Sequence, residues 1–251
     1  MGLMEIKKIN DHIFLLNDSN ETTGYLVIGS KKAILIDTMY GRTDLKALVE
    51  SITSLPLMVV NTHGHIDHIC GNACFEEPVY INKKDIPVAE TFRDDEDMKK
   101  AMKMHHCKEL RWQYIEPGEE IDLGDLTLEV LAIPGHTPGS IGFLDRKDRI
   151  LFSGDAILGH IWMQLEESLS LPELLDSLKS VEALRDTFDY ILSGHCGDLE
   201  EATMLEELIR GVEEVIEGKT EKDIPYEYFG GICKAHPYSK NNAGWMVVYN
   251  S

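Results

Sequence analysis

The chain alternates short β-rich runs with amphipathic segments of helical period. Apolar, β-branched or aromatic runs predict ten strands, near 13–16, 25–28, 33–36, 57–60, 79–81, 126–133, 141–144, 150–152, 190–192 and 246–249. Apolar residues at helical spacing predict helices over 45–52, 174–181 and 205–216, and a further helix is expected over 94–112. Because helices interleave with two groups of strands, the pattern predicts an α/β fold of two packed sheets flanked by helices.

The length agrees with one catalytic domain. At 251 residues the chain can bury a large core, and no Gly/Ser-rich or Pro-rich linker divides it. We therefore predict a single domain over residues 1–251.

One hexapeptide concentrates polar groups at the end of an apolar strand. The run at 57–60 is followed by His63-Gly64-His65-Ile66-Asp67-His68, three imidazoles and a carboxylate within six residues. Burying so many polar groups is costly unless something satisfies them, and a divalent metal would satisfy all four. The alternative is a solvated, histidine-rich turn.

Three later strands end in the same way, with a potential ligand beside a glycine. The ligands are His136 after Pro134-Gly135, Asp155 after Ser153-Gly154, and His195 after Ser193-Gly194. Glycine lets the backbone turn tightly and approach a shared centre. Five histidines and two aspartates are too many for one tetrahedral ion, so the sequence predicts two metals and seven ligands.

These motifs resemble the signature of the metallo-β-lactamase superfamily, from about residue 10 to about residue 200. The resemblance implies an αββα sandwich of two mixed β-sheets flanked by helices. It also implies that His63, His65 and His136 hold one metal, that Asp67, His68 and His195 hold the other, and that Asp155 bridges them. Asp37 resembles the early aspartate of the family, which supports ligands instead of binding metal.

Zinc is the expected metal, with iron or manganese as alternatives. Imidazole and carboxylate ligands without thiolate suit all three. The di-iron flavoproteins of the superfamily carry a glutamate where this chain has His65, which favours two Zn²⁺ ions here.

Paired metals predict hydrolysis of a small acyl substrate. Two ions about 3.5–4 Å apart can share a water and lower its pKa toward about 7, giving a metal-bound hydroxide at neutral pH. Asp67 is expected to accept a hydrogen bond from this nucleophile, and His160, shortly after Asp155, to donate a proton or hydrogen bond. The segments 134–140 and 152–155 resemble the glyoxalase II-like thioesterase branch, so an ester or thioester is expected.

Other functions stay open at this point. A lactonase or β-lactamase would present a strained carbonyl to the same hydroxide, although lactonases place a tyrosine shortly after the bridging aspartate and this chain has Ala156-Ile157-Leu158-Gly159. A persulfide dioxygenase with one iron uses a similar framework. A degenerate, non-catalytic metal-binding interaction protein is the third possibility.

Charge and composition narrow the partners and the compartment. The net charge of −20 argues against nucleic acid, because phosphate binding needs clustered Lys and Arg. No apolar run approaches transmembrane length, and residues 1–10 lack the apolar core of a signal peptide. Five cysteines without a Cys-x-x-Cys pair indicate reduced thiols, with Cys70 and Cys196 most simply small buried hydrophobes. We expect a cytoplasmic enzyme acting on a small molecule.

Overall fold

The computed structural model describes residues 4–250. Its strands are β1 Met4–Lys8, β2 Ile13–Asp18, β3 Thr22–Ile28, β4 Ala33–Ile36, β5 Leu57–Val60, β6 Val79–Ile81, β7 Trp112–Tyr114, β8 Glu120–Asp122, β9 Thr127–Ala132, β10 Ile141–Asp145, β11 Ile150–Gly154, β12 His160–Trp162, β13 Tyr190–Ser193, β14 Glu200–Glu201, β15 Ile224–Tyr228, β16 Gly231–Pro237 and β17 Met246–Tyr249. Its α-helices are α1 Leu45–Ile52, α2 Ile66–Ile69, α3 Ile86–Thr91, α4 Glu96–Met104, α5 Leu171–Glu182 and α6 Thr203–Ile216.

Two mixed sheets form the body of the fold. The first has the order β1-β2-β3-β4-β5-β6-β7, antiparallel from β1 to β4 and parallel from β4 to β7. The second has the order β14-β13-β11-β10-β9-β8, in which β11 and β13 are parallel. The predicted α/β class with two mixed sheets flanked by helices is confirmed.

Alternation along the strands explains the layers. On β4, Ile34 and Ile36 pack between the two sheets with Phe143 and Phe152 of the second sheet, whereas Leu35 faces the opposite side. That outer face packs against α1, and the outer face of the second sheet packs against α5 and α6. Each large side chain buried this way contributes about 1.5–3 kcal/mol, so the period-two pattern fixes which sheet face meets which layer.

A third sheet was not predicted from the sequence. It has the order β12-β17-β16-β15, with β12 parallel to β17. Only β17 has an unbroken apolar run. Most residues of β15 and the first two residues of β16 are exposed. Their aromatic and charged residues do not give a clear two-residue alternation of apolar and polar positions. Of this sheet, the sequence predicts only the strand at 246–249.

The helix expected over 94–112 is shorter than predicted. Helix α4 ends at Met104, and His106 then adopts a left-handed conformation with φ of 56°. Trp112 instead pairs with Val79 at the edge of the first sheet. Met98 is buried, whereas Met104 is exposed. None of the described helices is both long and apolar enough to cross a membrane.

Candidate metal centre

The predicted ligands meet at one edge of the two sheets. His63, His65, Asp67 and His68 follow β5, and the last two lie on the short helix α2. The other three follow β9, β11 and β13, and they are His136, Asp155 and His195. Strands running in the same direction deliver their following loops to the same edge, which explains why residues so distant in sequence converge.

Three imidazole nitrogens converge in a first group. His65 Nδ1 lies 3.1 Å from His63 Nε2 and 2.8 Å from His136 Nε2. All three side chains are buried. We name these residues the three-histidine group, and their spacing is compatible with one shared ion.

A second group lies directly beside the first. His195 Nε2 is 3.0 Å from Asp155 Oδ2 and 3.5 Å from Asp67 Oδ2. His68 Nε2 is 3.4 Å from Asp155 Oδ1 and 3.6 Å from Asp67 Oδ2. Asp155 also approaches His136 Nε2, at 3.7 Å. Its carboxylate therefore lies between the two groups, where a bridging ligand would be needed.

Each of the five histidines is anchored through its other ring nitrogen. The anchors are the Thr62 hydroxyl for His63, Glu167 for His65, Asp37 for His68, the Trp162 carbonyl for His136 and the Glu21 carbonyl for His195. A ring nitrogen that donates its N–H outward leaves the converging nitrogen with its lone pair. The anchors thus select the tautomers that a metal requires.

Asp37 organises the base of the second group. Its Oδ2 accepts from His68 Nδ1 at 2.9 Å, and its carboxylate also accepts from the amide and hydroxyl of Thr62. Asp37 holds a left-handed φ of 61°, which aspartate tolerates better than most residues. Asp37 therefore holds a ligand in place, and its own carboxylate is not among the converging ligand atoms.

Two buried polar atoms in the centre have no hydrogen-bond partner among the described residues. They are His68 Nε2 and Asp155 Oδ1. Buried polar atoms are almost always paired, so an unpartnered imidazole nitrogen facing an unpartnered carboxylate oxygen fits a site for a cation. The donor set of imidazole and carboxylate also suits a divalent metal.

The electrostatics of the two groups differ. Burial lowers the pKa of His136 to about 4, and burial together with neighbouring His68 holds the pKa of His63 well below its usual range. Burial acts in the same direction on His195, but the Asp155 carboxylate outweighs it and raises the pKa of His195 to about 9. Without a cation, the rings of His63 and His136 are neutral near pH 7, whereas His195 retains its proton.

Close backbone approach is essential at two glycines. A Cβ on Gly194 would lie 2.0 Å from Asp155 Oδ1, and a Cβ on Gly154 would lie 2.4 Å from the Thr62 hydroxyl oxygen. Gly154 also has a φ of 53°. Larger residues here would displace the ligand loops.

A buried carboxylate that the sequence analysis missed joins the loops of the three-histidine group. Asp85 accepts hydrogen bonds from the Gly64 amide at 2.6 Å, the Gly139 amide at 2.6 Å and the Thr137 hydroxyl at 2.8 Å. Burial raises the pKa of Asp85, and these three donors oppose that shift. Asp85 thereby ties the loop carrying His63 and His65 to the loop after His136.

Glu167 is a second residue that sequence reasoning missed. Its Oε1 lies 2.6 Å from His65 Nε2, and this hydrogen bond lowers the pKa of Glu167. The residue lies 12 positions after Asp155 in a loop without a recognisable motif. Only the folded chain brings it to His65.

An open cleft of about 880 Å³ lies over the two groups of converging side chains, which we call the metal groups. Its lining is mainly apolar and aromatic: Tyr40, His65, Ile66, Asp67, Thr91, Phe92, His136, Asp155, Leu158, His160, Trp162, Gln164, Leu165, Glu166, Glu167, His195, Tyr228, Phe229 and Gly230. Clefts of this size and lining bind small molecules.

His160 lines this cleft but is not one of the converging ligands. Its Nδ1 lies 3.1 Å from the Gly244 carbonyl, and Nε2 is buried with no partner among residues 4–250. Burial lowers the pKa of His160, which favours the neutral ring. The neutral ring donates from Nδ1 to the Gly244 carbonyl and leaves Nε2 without a proton, so the donating role expected from the sequence would require protonation of this ring.

Curated relatives include hydrolases and an oxygenase. The acyl-coenzyme A thioesterase MBLAC2 of Bos taurus is 29% identical over 60% of this chain and 65% of its own length. The hydroxyacylglutathione hydrolase of Bdellovibrio bacteriovorus is 28% identical over 60% of this chain and 50% of its own. The mitochondrial persulfide dioxygenase ETHE1 of Bos taurus is 31% identical over 51% and 44%. The chain therefore spans less than two thirds of the length of these relatives.

The fold and a family model agree on the family. A metallo-beta-lactamase from Pontibacter korlensis superposes with a TM-score of 0.67 at 17% identity, covering 84% of this chain and 99% of that one. The family model described as the metallo-beta-lactamase superfamily matches residues 20–208. Fold, centre and match lead to one conclusion: the chain belongs to the metallo-beta-lactamase superfamily, whose fold implies divalent metal binding.

Proposed function

We propose that the protein is a dinuclear hydrolase, with two Zn²⁺ ions, that cleaves a small ester or thioester. The observation that carries this proposal is the outward anchoring of all five histidines around two adjacent ligand groups. His63, His65 and His136 would hold one ion, Asp67, His68 and His195 the other, and Asp155 would bridge them. This arrangement supports hydrolysis without a serine or cysteine nucleophile.

The residues divide the work of the reaction. Divalent ions bound in the two groups would polarise the substrate carbonyl and lower the pKa of a water. Asp67, which lines the cleft, would accept a hydrogen bond from the attacking water and orient it. His160 would contact the substrate from the cleft lining, with its Nδ1 held by the Gly244 carbonyl. The apolar lining would exclude bulk water from the reacting carbonyl.

Relatives favour the thioester among acyl substrates. The two hydrolases described above are named for acyl-coenzyme A and hydroxyacylglutathione, both of which are thioesters. A thioester carbonyl reacts with an activated water without the help of ring strain. The lactone and β-lactam substrates of the alternative functions, in contrast, are strained rings.

Metal content and turnover test the proposal together. Native protein should contain two zinc ions per chain by elemental analysis and should hydrolyse members of an ester, thioester, lactone and lactam panel. His68→Ala should reduce the metal content toward one ion and lower kcat strongly. His195→Ala, at a more exposed ligand of the same group, should do the same if His68→Ala folds poorly. Asp155→Ala should disturb both ions.

An exposed histidine provides the matched control. His106→Asn removes an imidazole outside the centre and keeps a side chain that tolerates the left-handed backbone there. It should retain both ions and full turnover. Two ions and normal turnover in both His68→Ala and His195→Ala would contradict the assigned ligands.

A persulfide dioxygenase is the second candidate, since one relative carries that name. The same elemental analysis separates the two. One iron per chain, with oxygen uptake in the presence of a persulfide, would replace the hydrolase by the dioxygenase.

A further inference from the structure

We infer that the substrate group entering the cleft is apolar and carries no negative charge, and that Phe229 and Glu166 impose these two requirements. The inference rests on the proposed function and names its substrate class.

An aromatic wall forms one side of the cleft. Phe229 lies at the turn between β15 and β16, and its ring centroid is 5.9 Å from that of Trp162 and 5.4 Å from that of Tyr228. Trp162 and Tyr228 are themselves partly buried against the third sheet. The wall is thus built on a β-hairpin whose base is packed, which places its rings firmly beside the metal groups.

Phe229 is 86% exposed although it lines the cleft. Burial of a phenylalanine side chain is favourable, and here the protein leaves most of the ring exposed. On the other side, the Phe92 ring stands 6.0 Å from His65, beside the three-histidine group. An apolar substrate group lying between these sides would cover both rings while its carbonyl faces the metal groups.

The charged side chains of the cleft are acidic. Asp67 and Asp155 belong to the metal groups, and Glu167 is bound to His65. Glu166 is exposed and makes no ion pair among the described residues. It is therefore the acidic side chain left to meet a substrate.

Lysine and arginine side chains near the cleft do not offset the charge of Glu166. No lysine or arginine occurs among the described residues that line the cleft. Arg42 lies over the ring of Tyr40, a lining residue, at 4.3 Å, but its guanidinium is bound to Glu21 at 2.6 Å and lies 3.7 Å from Asp18. A carboxylate or phosphate on the substrate that approaches Glu166 would find no lysine or arginine in the cleft lining to offset the repulsion.

Matched thioesters of N-acetylcysteamine test the charge requirement, since their leaving group is neutral. Hexanoyl and monoadipoyl thioesters have the same six-carbon acyl chain and differ by a terminal carboxylate. Native metal-loaded protein should show at least tenfold higher kcat/KM for the hexanoyl thioester. Glu166→Gln should raise kcat/KM for the adipoyl thioester about threefold and Glu166→Lys about tenfold, each leaving the hexanoyl value within twofold; these ratios correspond to one removed or reversed exposed charge interaction.

The response to Glu166 is the decisive quantity. Any attraction of the adipoyl carboxylate to the metals is common to native protein and variants, so it cancels in the ratio. Equal adipoyl-to-hexanoyl ratios in native protein and both variants would overturn the role of Glu166.

Chain length tests the apolar wall. Extending butanoyl to hexanoyl adds two methylenes, which should raise kcat/KM roughly tenfold in native protein, since each buried methylene is worth about a factor of four. Phe229→Ala should reduce that gain below threefold. Ile232→Ala is the control, because Ile232 lies on the same hairpin, is 77% exposed and is not part of the cleft. Identical gains in the two variants would overturn the role of Phe229.

Binding without turnover separates this inference from the proposed function. Thioether analogues of the hexanoyl and adipoyl substrates, measured by calorimetry, should show the same dependence on Glu166. If that dependence is present but no thioester is hydrolysed, the proposed function fails and the inference stands. If it is absent, the inference fails whatever the turnover.

Discussion

Asp85 offers a test of how the centre is held from behind. It contacts none of the converging ligand atoms, yet it accepts three hydrogen bonds from the loops that carry the three-histidine group. The variants Asp85→Ala and Asp85→Asn should therefore lower stability and weaken metal binding together. The Ala variant removes every acceptor, whereas the Asn variant keeps one oxygen and turns an amide N–H₂ toward a backbone N–H.

The magnitude follows from the groups left unpaired. Each buried amide without an acceptor costs about 1–3 kcal/mol, so Asp85→Ala, which strands the amides of Gly64 and Gly139, should cost about 4 kcal/mol. Asp85→Asn strands one amide and should cost about 2 kcal/mol, which corresponds to a fall in Tm of about 4–8 °C for a chain of this size. Release of the two loops should weaken zinc binding about 10- to 100-fold, the range for residues that orient metal ligands.

Thermal unfolding with and without chelator, together with zinc competition against a fluorescent chelator, measures both effects. Asp125→Asn serves as control, because Asp125 also accepts a backbone N–H, from Ser30 at 2.7 Å, but on the exposed surface. An Asp85→Asn variant with unchanged Tm and zinc affinity would show that the loops hold themselves in place, and the reasoning would be wrong.

Two further predictions concern one metal ligand and one residue that anchors a ligand. Acidification from pH 8 to about 5.5 should release the ion of the second group first. His195 has a pKa of about 9 when metal-free and must lose a proton to bind a metal, whereas His136, with a pKa of about 4, is already neutral. Elemental analysis at each pH measures the two ions, and simultaneous loss of both would refute the prediction. Glu167→Gln should weaken zinc binding at the three-histidine group about 10- to 100-fold with little change in Tm, because the substitution removes only the charge that anchors His65. An unchanged zinc affinity in the competition assay would contradict this prediction.

The sequence was sufficient for the ten predicted strands because each is a run of apolar or β-branched residues whose burial decides its structure. It also located every converging side chain, since all of them follow strand ends in short motifs. The hairpin of β15 and β16 was not predicted, because it is stabilised by strand pairing and by packing on Trp162. Neither of these produces a clear alternation of apolar and polar residues in the sequence. Asp85 and Glu167 escaped for a related reason: isolated acidic residues carry no local signal, and their partners are 21 and 102 positions away.

Trp162 joins the metal centre to the cleft through two chemically independent parts of one residue. Its carbonyl oxygen accepts from His136 Nδ1 at 2.8 Å, and its indole belongs to the aromatic wall. A backbone carbonyl survives any substitution, whereas the side chain does not. Substitution of Trp162 can therefore change the shape of the cleft while His136 keeps its orientation. The substrate specificity could change in this way without loss of metal binding.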